Sequence, residues 1–319
     1  MKIAFRHLPF TAEQNAHLEE LAKAAGLTPV WFPNGQIPTV EELKDCEVLM
    51  GYFPPAMMKE LPNLKWLQTP AAGVDKLCGD LYASDDVVLT NCSGAFGVAI
   101  AEYMMTGLLM LMRLMPAYMD NQKQNIWKCM GQCRAVYGST ITVVGMGDIG
   151  SRFAHIAKAM GATIRGVRRT KAEKPADFDE VYTQDQLAGA VKGVDAVVMA
   201  LPGTPATRGL VSREVIAAMD PKTIVVNCGR GFTMDEEALI EALQAGKLAG
   251  AVLDVTAVEP LDPASPLWQM ENVIVTPHIS GHDDDPVNYQ FMYRIMCENL
   301  TRYATGQPLT HVVDRTRGY

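Results

Sequence analysis

The chain lacks any run of about 20 apolar residues, the length a membrane-crossing helix needs. Its most apolar stretch, Val98 to Met112, contains Glu102 and is followed at once by Arg113, so it reads as a buried helix. No basic segment followed by an apolar one opens the chain, and no secretory signal is expected. Basic tracts are missing too, and the net charge of −8 weighs against a nucleic-acid partner. The seven cysteines form no disulfide-like framework. Cys129 and Cys133 stand as a lone C-x3-C without a second ligand pair, so reduced thiols, no metal site and a cytoplasmic setting are expected. Internal repeats and low-complexity segments are absent.

What is present is the alternation of a soluble α/β protein. The 319 residues suit two domains. In the first hundred, KIAF, TPVWF, EVLMG, KWLQT and VVLTN read as strands with helical segments between them, such as Thr11 to Ala25. A long helix is expected from about Val98 to Met115, carrying Met104, Met105, Met110, Met112 and Met115 as adaptable core packing, part of which can face a second subunit. Six further strands follow: TITVV, TIRGV, DAVVMA, TIVVN, AGAVLDV and NVIVT. They are continuous apolar runs, as expected where both faces of a sheet are covered. A last helix from about Asp285 to Thr305 returns the chain to the first domain. The fold expected is α/β, with two doubly wound parallel-sheet domains. A flavodoxin-like substrate domain takes residues 1–97 plus 286–319, and a Rossmann dinucleotide-binding domain takes 98–285.

Gly145, Gly147 and Gly150 form G-x-G-x-x-G between the strand TITVV and the amphipathic segment SRFAHIAKAM. In that setting the glycines allow a tight turn, close approach of a pyrophosphate and close helix–strand packing, with the anion at the helix N-terminus. The next strand ends in Arg168 and Arg169, with Lys171 and Lys174 close behind. An NAD site usually carries an acidic residue there, about 20 residues after the glycines, to bond the ribose. Two guanidinium groups instead suit a 2′-phosphate, so NADP(H) is the expected cofactor, with NAD(H) possible.

Ligands of open α/β sheets bind outside the carboxyl ends of the strands. Three charged residues stand at that level: Arg230 in NCGRG, Glu259 in DVTAVEP and His278 in TPHIS. Singly, each has a plain structural reading: a helix cap, a turn before Pro260, a solvated side chain. Together they suit the reduction of a 2-keto acid. Arg230 can hold the carboxylate, His278 can supply a proton near neutral pH, and Glu259 can orient the imidazole. His282, in an aspartate-rich loop, is the one other histidine worth testing.

VVGMGDIG, ALPGTPATRGLVSREVIAAMDPKTIVVNCGRG, AGAVLDVTAVEP and VIVTPHISG, in this order, resemble the D-isomer-specific 2-hydroxyacid dehydrogenases over nearly the whole chain. The resemblance implies Arg230, Glu259 and His278 as the catalytic set. It implies cofactor contacts by Asp148, Ile149, Leu201, Pro202, Thr207, Cys228, Arg230, Asp254, His278 and Gly281. It further implies that Ala72, Gly73 and Val74 hold the substrate carboxylate, with Met50 to Phe53, including Tyr52, nearby to shape the pocket. Family members are usually homodimers joined through the region Val98 to Gly138, where Trp127 matches a common tryptophan. With Arg168 in place of an acidic residue, the chain resembles the NADPH-using glyoxylate/hydroxypyruvate reductases. TPAAGVD is looser than the substrate loop of phosphoglycerate dehydrogenases, and formate dehydrogenases carry glutamine at the position of Glu259. Two other readings stay open: a nucleotide-dependent binding module of the C-terminal-binding-protein corepressor type, although no added tail for partners is seen, and an NAD-linked D-lactate or D-glycerate dehydrogenase.

Overall fold

The computed structural model describes residues 1–282 and 285–319, and the chain divides into two units, Met1–Phe96 with Asp283–Tyr319 and Gly97–His282. The first unit opens with β1 (Lys2–Arg6), α1 (Ala12–Ala24), β2 (Thr28–Phe32), α2 (Val40–Leu43), β3 (Cys46–Gly51), β4 (Trp66–Gln68) and β5 (Val88–Thr90). The five strands are parallel in the order β2-β1-β3-β4-β5, the flavodoxin-like order. Ile3, Ala4, Phe5, Val48, Leu49 and Met50 are fully buried, because the two central strands are covered on both faces. Thr11 starts α1 with a reciprocal capping box to Gln14, which satisfies two amides the helix itself leaves open.

The second unit begins with α3 (Gly97–Met112) and α4 (Met115–Lys123). The single helix expected to Met115 is therefore two. Pro116 has no amide for the carbonyl of Met112, Leu114 turns to φ +57°, and the amide of Arg134 takes that carbonyl at 2.9 Å instead. Of the five methionines, Met104, Met105 and Met112 are buried as core, Met110 is half-buried, and Met115 is exposed on α4. No single helix among the described residues is long and apolar enough to cross a membrane.

The chain continues through β6 (Thr140–Val144), α5 (Asp148–Ala159), β7 (Thr163–Arg168), β8 (Glu180–Thr183), α6 (Leu187–Ala190), β9 (Ala196–Met199), α7 (Arg213–Ala217), β10 (Ile224–Asn227), α8 (Glu236–Gln244), β11 (Gly250–Leu253) and β12 (Val273–Val275). Its seven strands are all parallel in the order β12-β11-β10-β9-β6-β7-β8. Six correspond to the apolar runs in the sequence. The seventh, β8, is an edge strand whose residues EVYT are exposed or half-buried, so it lacks the apolar signature. The order reverses between β6 and β9, which defines the topological switch point of a dinucleotide-binding sheet.

The last helix, α9 (Pro286–Ala304), belongs to the first unit and is capped by Asp285. Its fully buried Asn299 donates to Gln68 Oε1 at 2.9 Å and accepts from the Thr310 amide at 2.8 Å. The following segment then bridges onto β5 through Thr90 and Val312, so the first sheet is finished by residues far along the chain.

Candidate active site

The glycine loop sits at the switch point of the second unit. Gly145 leaves β6 at φ +103°, and a Cβ there would lie 2.5 Å from the carbonyl oxygen of Ala200, at the end of β9. A Cβ on Gly150 would fall 1.9 Å from the Gly145 oxygen, so α5 starts as close to the turn as backbone allows. Gly147, which caps α5, faces open space instead. This is the cradle a pyrophosphate fits: two glycines set the turn, and the third leaves room before a helix N-terminus. Asp148 in the first turn is paired with Arg152 at 2.8 Å, which offsets its negative charge beside that anion site.

The two crowded positions and the open one make a test. Gly150→Ala forces backbone apart, which costs on the order of 1–3 kcal/mol for an overpacked contact, and lowers both melting temperature and nucleotide affinity. Gly147→Ala leaves the melting temperature near wild type and weakens only the nucleotide. Thermal melts with and without NADPH read both, and equal behaviour of the two variants would refute the cradle.

Arg168 ends β7 at the carboxyl edge of the sheet, with a long 3.4 Å contact from Nη1 to the Glu173 carbonyl. Arg169, Lys171 and Lys174 follow on an exposed stretch. Leu201 is buried and Pro202 exposed in the turn after β9. The Thr207 hydroxyl closes that turn onto the Pro202 carbonyl at 2.7 Å.

Arg230 is placed by its neighbours. The buried Asn227 folds the turn with its amide, accepting from Gly229 N at 3.1 Å. A Cβ on Gly229 would come within 2.7 Å of Leu201 N, and one on Gly231 within 2.0 Å of the Thr256 carbonyl. The NCGRG turn is thus wedged between the turn after β9 and the loop after β11, which no residue larger than glycine allows at those two points. Arg230 itself is half-buried, its stem over Gly203 and its Nη1 2.9 Å from the Gly229 carbonyl.

The loop after β11 carries Glu259. Its Oε1 accepts from the Thr256 amide at 3.3 Å, while the Ala257 amide is held by Glu236 of α8 at 2.8 Å. Glu259 Oε2 lies 2.9 Å from His278 Nδ1. Both side chains are near half-exposed, at 46% for His278 and 40% for Glu259, so a small molecule can reach the pair. With Nδ1 committed to the carboxylate, Nε2 is the nitrogen left for a reacting group.

His278 adopts φ +55°, a left-handed conformation that side chains other than glycine rarely take. Asp254, 1% exposed, enforces it. Its carbonyl accepts from His278 N at 2.8 Å, and its carboxylate accepts from Ile279 N and Ser280 N at 2.8 and 2.9 Å and from Thr276 Oγ1 at 2.6 Å. Asp254 therefore turns inward as the support of the histidine loop. Cys228 turns inward as well: burial, then the Asp254 carboxylate, pushes its thiol up, and only its main chain can face a ligand. Thr276 and Ser280 are absent from the sequence-based candidates; the sole sequence signal is that they flank His278 in TPHIS. Gly281 and His282 follow in the same turn, and Asp283 and Asp284 of the aspartate-rich loop lie outside the described residues.

In the first unit, Ala72 and Gly73 are half-buried and exposed, and the Ala72 carbonyl accepts from Asn91 Nδ2 at 2.8 Å. Val74 is 3% exposed, its side chain in the core, so only its backbone can serve a ligand. Met50 and Phe53 depart from the expected pocket-shaping role: the central position of β3 buries the first, and the second packs in the same core. Tyr52 alone of that group keeps partial exposure. Among the described residues no cluster of three or more His, Cys, Asp or Glu can hold a metal ion.

Residues 105–280 match the family described as D-isomer specific 2-hydroxyacid dehydrogenase, NAD binding domain. A D-3-phosphoglycerate dehydrogenase of Methanocaldococcus jannaschii is 30% identical over 280 residues, covering 86% of this chain, which spans only 53% of that relative's length. A glyoxylate/hydroxypyruvate reductase A of Salmonella heidelberg is 26% identical over 325 residues, with both chains covered completely. The solved NADPH-dependent glyoxylate/hydroxypyruvate reductase of Sinorhizobium meliloti, in complex with NADP and sulfate, superposes with a TM-score of 0.80 at 27% identity over 100% of both chains.

Proposed function

This chain belongs to the D-isomer-specific 2-hydroxyacid dehydrogenases, NAD(P)-dependent oxidoreductases, and from that premise we propose that it is an NADPH-dependent reductase of small 2-keto acids such as glyoxylate or hydroxypyruvate. The observation that carries the reading is the His278–Glu259 pair at 2.9 Å, on loops that follow adjacent strands beside the Arg230 turn. NADPH, held at the glycine loop and Arg168, would supply the hydride for the carbonyl carbon. Nε2 of protonated His278 gives the proton to the carbonyl oxygen, and the imidazole regains it from solvent. Glu259 accepts from Nδ1–H, which fixes the ring and leaves Nε2 for the substrate. Arg230 binds the carboxylate through its guanidinium fork and polarises the adjacent carbonyl. Ala72, Gly73, Val74 and Tyr52 remain proposed substrate contacts on the strength of the family resemblance.

Arg168 and Arg169 support the choice of NADPH, since guanidinium groups suit a 2′-phosphate. A homodimer belongs to the same proposal. Met115, Met119, Ile126, Trp127, Met130 and Tyr137 are all exposed within one short segment, Trp127 completely, and such a concentration of apolar surface marks an interaction site. A cytoplasmic location completes the reading.

NADPH oxidation against glyoxylate, hydroxypyruvate and pyruvate, with NADH in parallel, tests it. The expected result is a preferred keto acid and kcat/KM at least about tenfold higher with NADPH, the worth of one charged hydrogen bond. Tight NADPH binding with no turnover of any keto acid would overturn the enzymatic reading in favour of a binding module.

A further inference from the structure

Beyond the residues that can touch substrate, the second unit carries a half-buried hydrogen-bonded chain that ends on the buried Asp254 beneath the histidine loop. The Tyr103 hydroxyl, on α3, meets Thr276 Oγ1, and Thr276 Oγ1 lies 2.6 Å from Asp254 Oδ1. The direction of the chain follows from the number of protons. A buried carboxylate accepts only, so the single Thr276 proton goes to Asp254. Tyr103 must then be the donor to Thr276. Burial pushes the Tyr103 hydroxyl up to about 12, so it keeps its proton near neutral pH.

We propose that Tyr103 is a positioning residue for His278, acting through Thr276 and Asp254 to hold the histidine loop in its left-handed turn. This rests on the reading of His278 as the proton donor. The Asp254 carboxylate bonds the two amides that follow His278, at Ile279 and Ser280, and the Asp254 carbonyl bonds the amide of His278 itself. A conformation at φ +55° persists only where its surroundings over-determine it. Without the Tyr103 donor, the Thr276 hydroxyl is free to rotate away from Asp254. The carboxylate then loses one of its restraints, and the imidazole spends less time aligned on Glu259. No atom of Tyr103 needs to approach substrate or nucleotide for this to hold.

The test compares Tyr103→Phe, Thr276→Val and Thr276→Ser with the wild type. Tyr103→Phe and Thr276→Val should each lower kcat about five- to tenfold, the worth of one hydrogen bond, with keto-acid KM and NADPH affinity within about twofold. Thr276→Ser, which keeps the hydroxyl, should restore kcat. Ring 15N shifts of His278, assigned by their loss in a His278→Asn variant, should move in Tyr103→Phe and return to wild-type values in Thr276→Ser. Unchanged ring shifts with kcat within about twofold would overturn the proposal, as would loss of kcat in step with nucleotide affinity. The ring shifts need no turnover. An enzyme inactive on every keto acid would therefore count against the reductase reading alone, and the spectra would still decide the role of Tyr103.

Discussion

Replacing His278 by asparagine should lower keto-acid turnover by about 10²- to 10⁴-fold, the usual contribution of a positioned acid–base group, while NADPH affinity stays within about twofold. Asparagine is the informative substitution because it tolerates the left-handed backbone that His278 adopts. Alanine at the same place adds backbone strain to the loss of the ring, so a fall in activity there has two causes. The dissociation of the two effects follows from the layout of the site. His278 stands beyond β12 at the edge of the sheet, whereas the glycine cradle lies after β6 in its middle. Turnover by steady-state kinetics and affinity by titration calorimetry separate them. Equal loss of both would identify His278 as a structural residue.

The second large effect concerns the choice of cofactor. Arg168→Glu should lower kcat/KM with NADPH by about 10- to 100-fold, the range for losing a charge-assisted hydrogen bond, and leave NADH equal or improved. A carboxylate at the end of β7 repels a 2′-phosphate and can accept from the ribose hydroxyls of NAD. Substitution therefore acts in opposite directions on the two nucleotides. The measurement is the ratio of kcat/KM for NADPH over NADH, with the preferred keto acid saturating. A ratio within about threefold of the wild type would mean that Arg168 is only a solvated residue at a strand end.

Legibility in the sequence followed the physics of burial. Strands covered on both faces, such as β9, β10 and β11, are continuous apolar runs and could be read directly. The edge strand β8 could not, because a strand with one solvated margin and a polar first residue looks like a turn. Pro116 did mark the end of α3, but the apolar character of the segment masked it. In the site, Arg230, Glu259 and His278 were legible because each directly follows an apolar run. The inward role of Asp254 was not, since its partners lie 22 to 26 residues onward and are brought to it only by the pairing of β11 with β12. Tyr103 is further still from Thr276, 173 residues away, and only the packing of α3 in the second unit joins them.

Asn299 and the bridge at Val312 have a consequence for synthesis on the ribosome. The first sheet is stapled by α9 and the segment beyond it, which are translated last. At about 5–20 residues per second, the opening 96 residues emerge and then wait about 10–45 s for those partners. The second unit, by contrast, is one uninterrupted stretch and has every strand it needs as soon as it clears the exit tunnel. The middle of the chain can therefore complete its fold before the beginning does, and the opening 96 residues are the segment left longest without their partners.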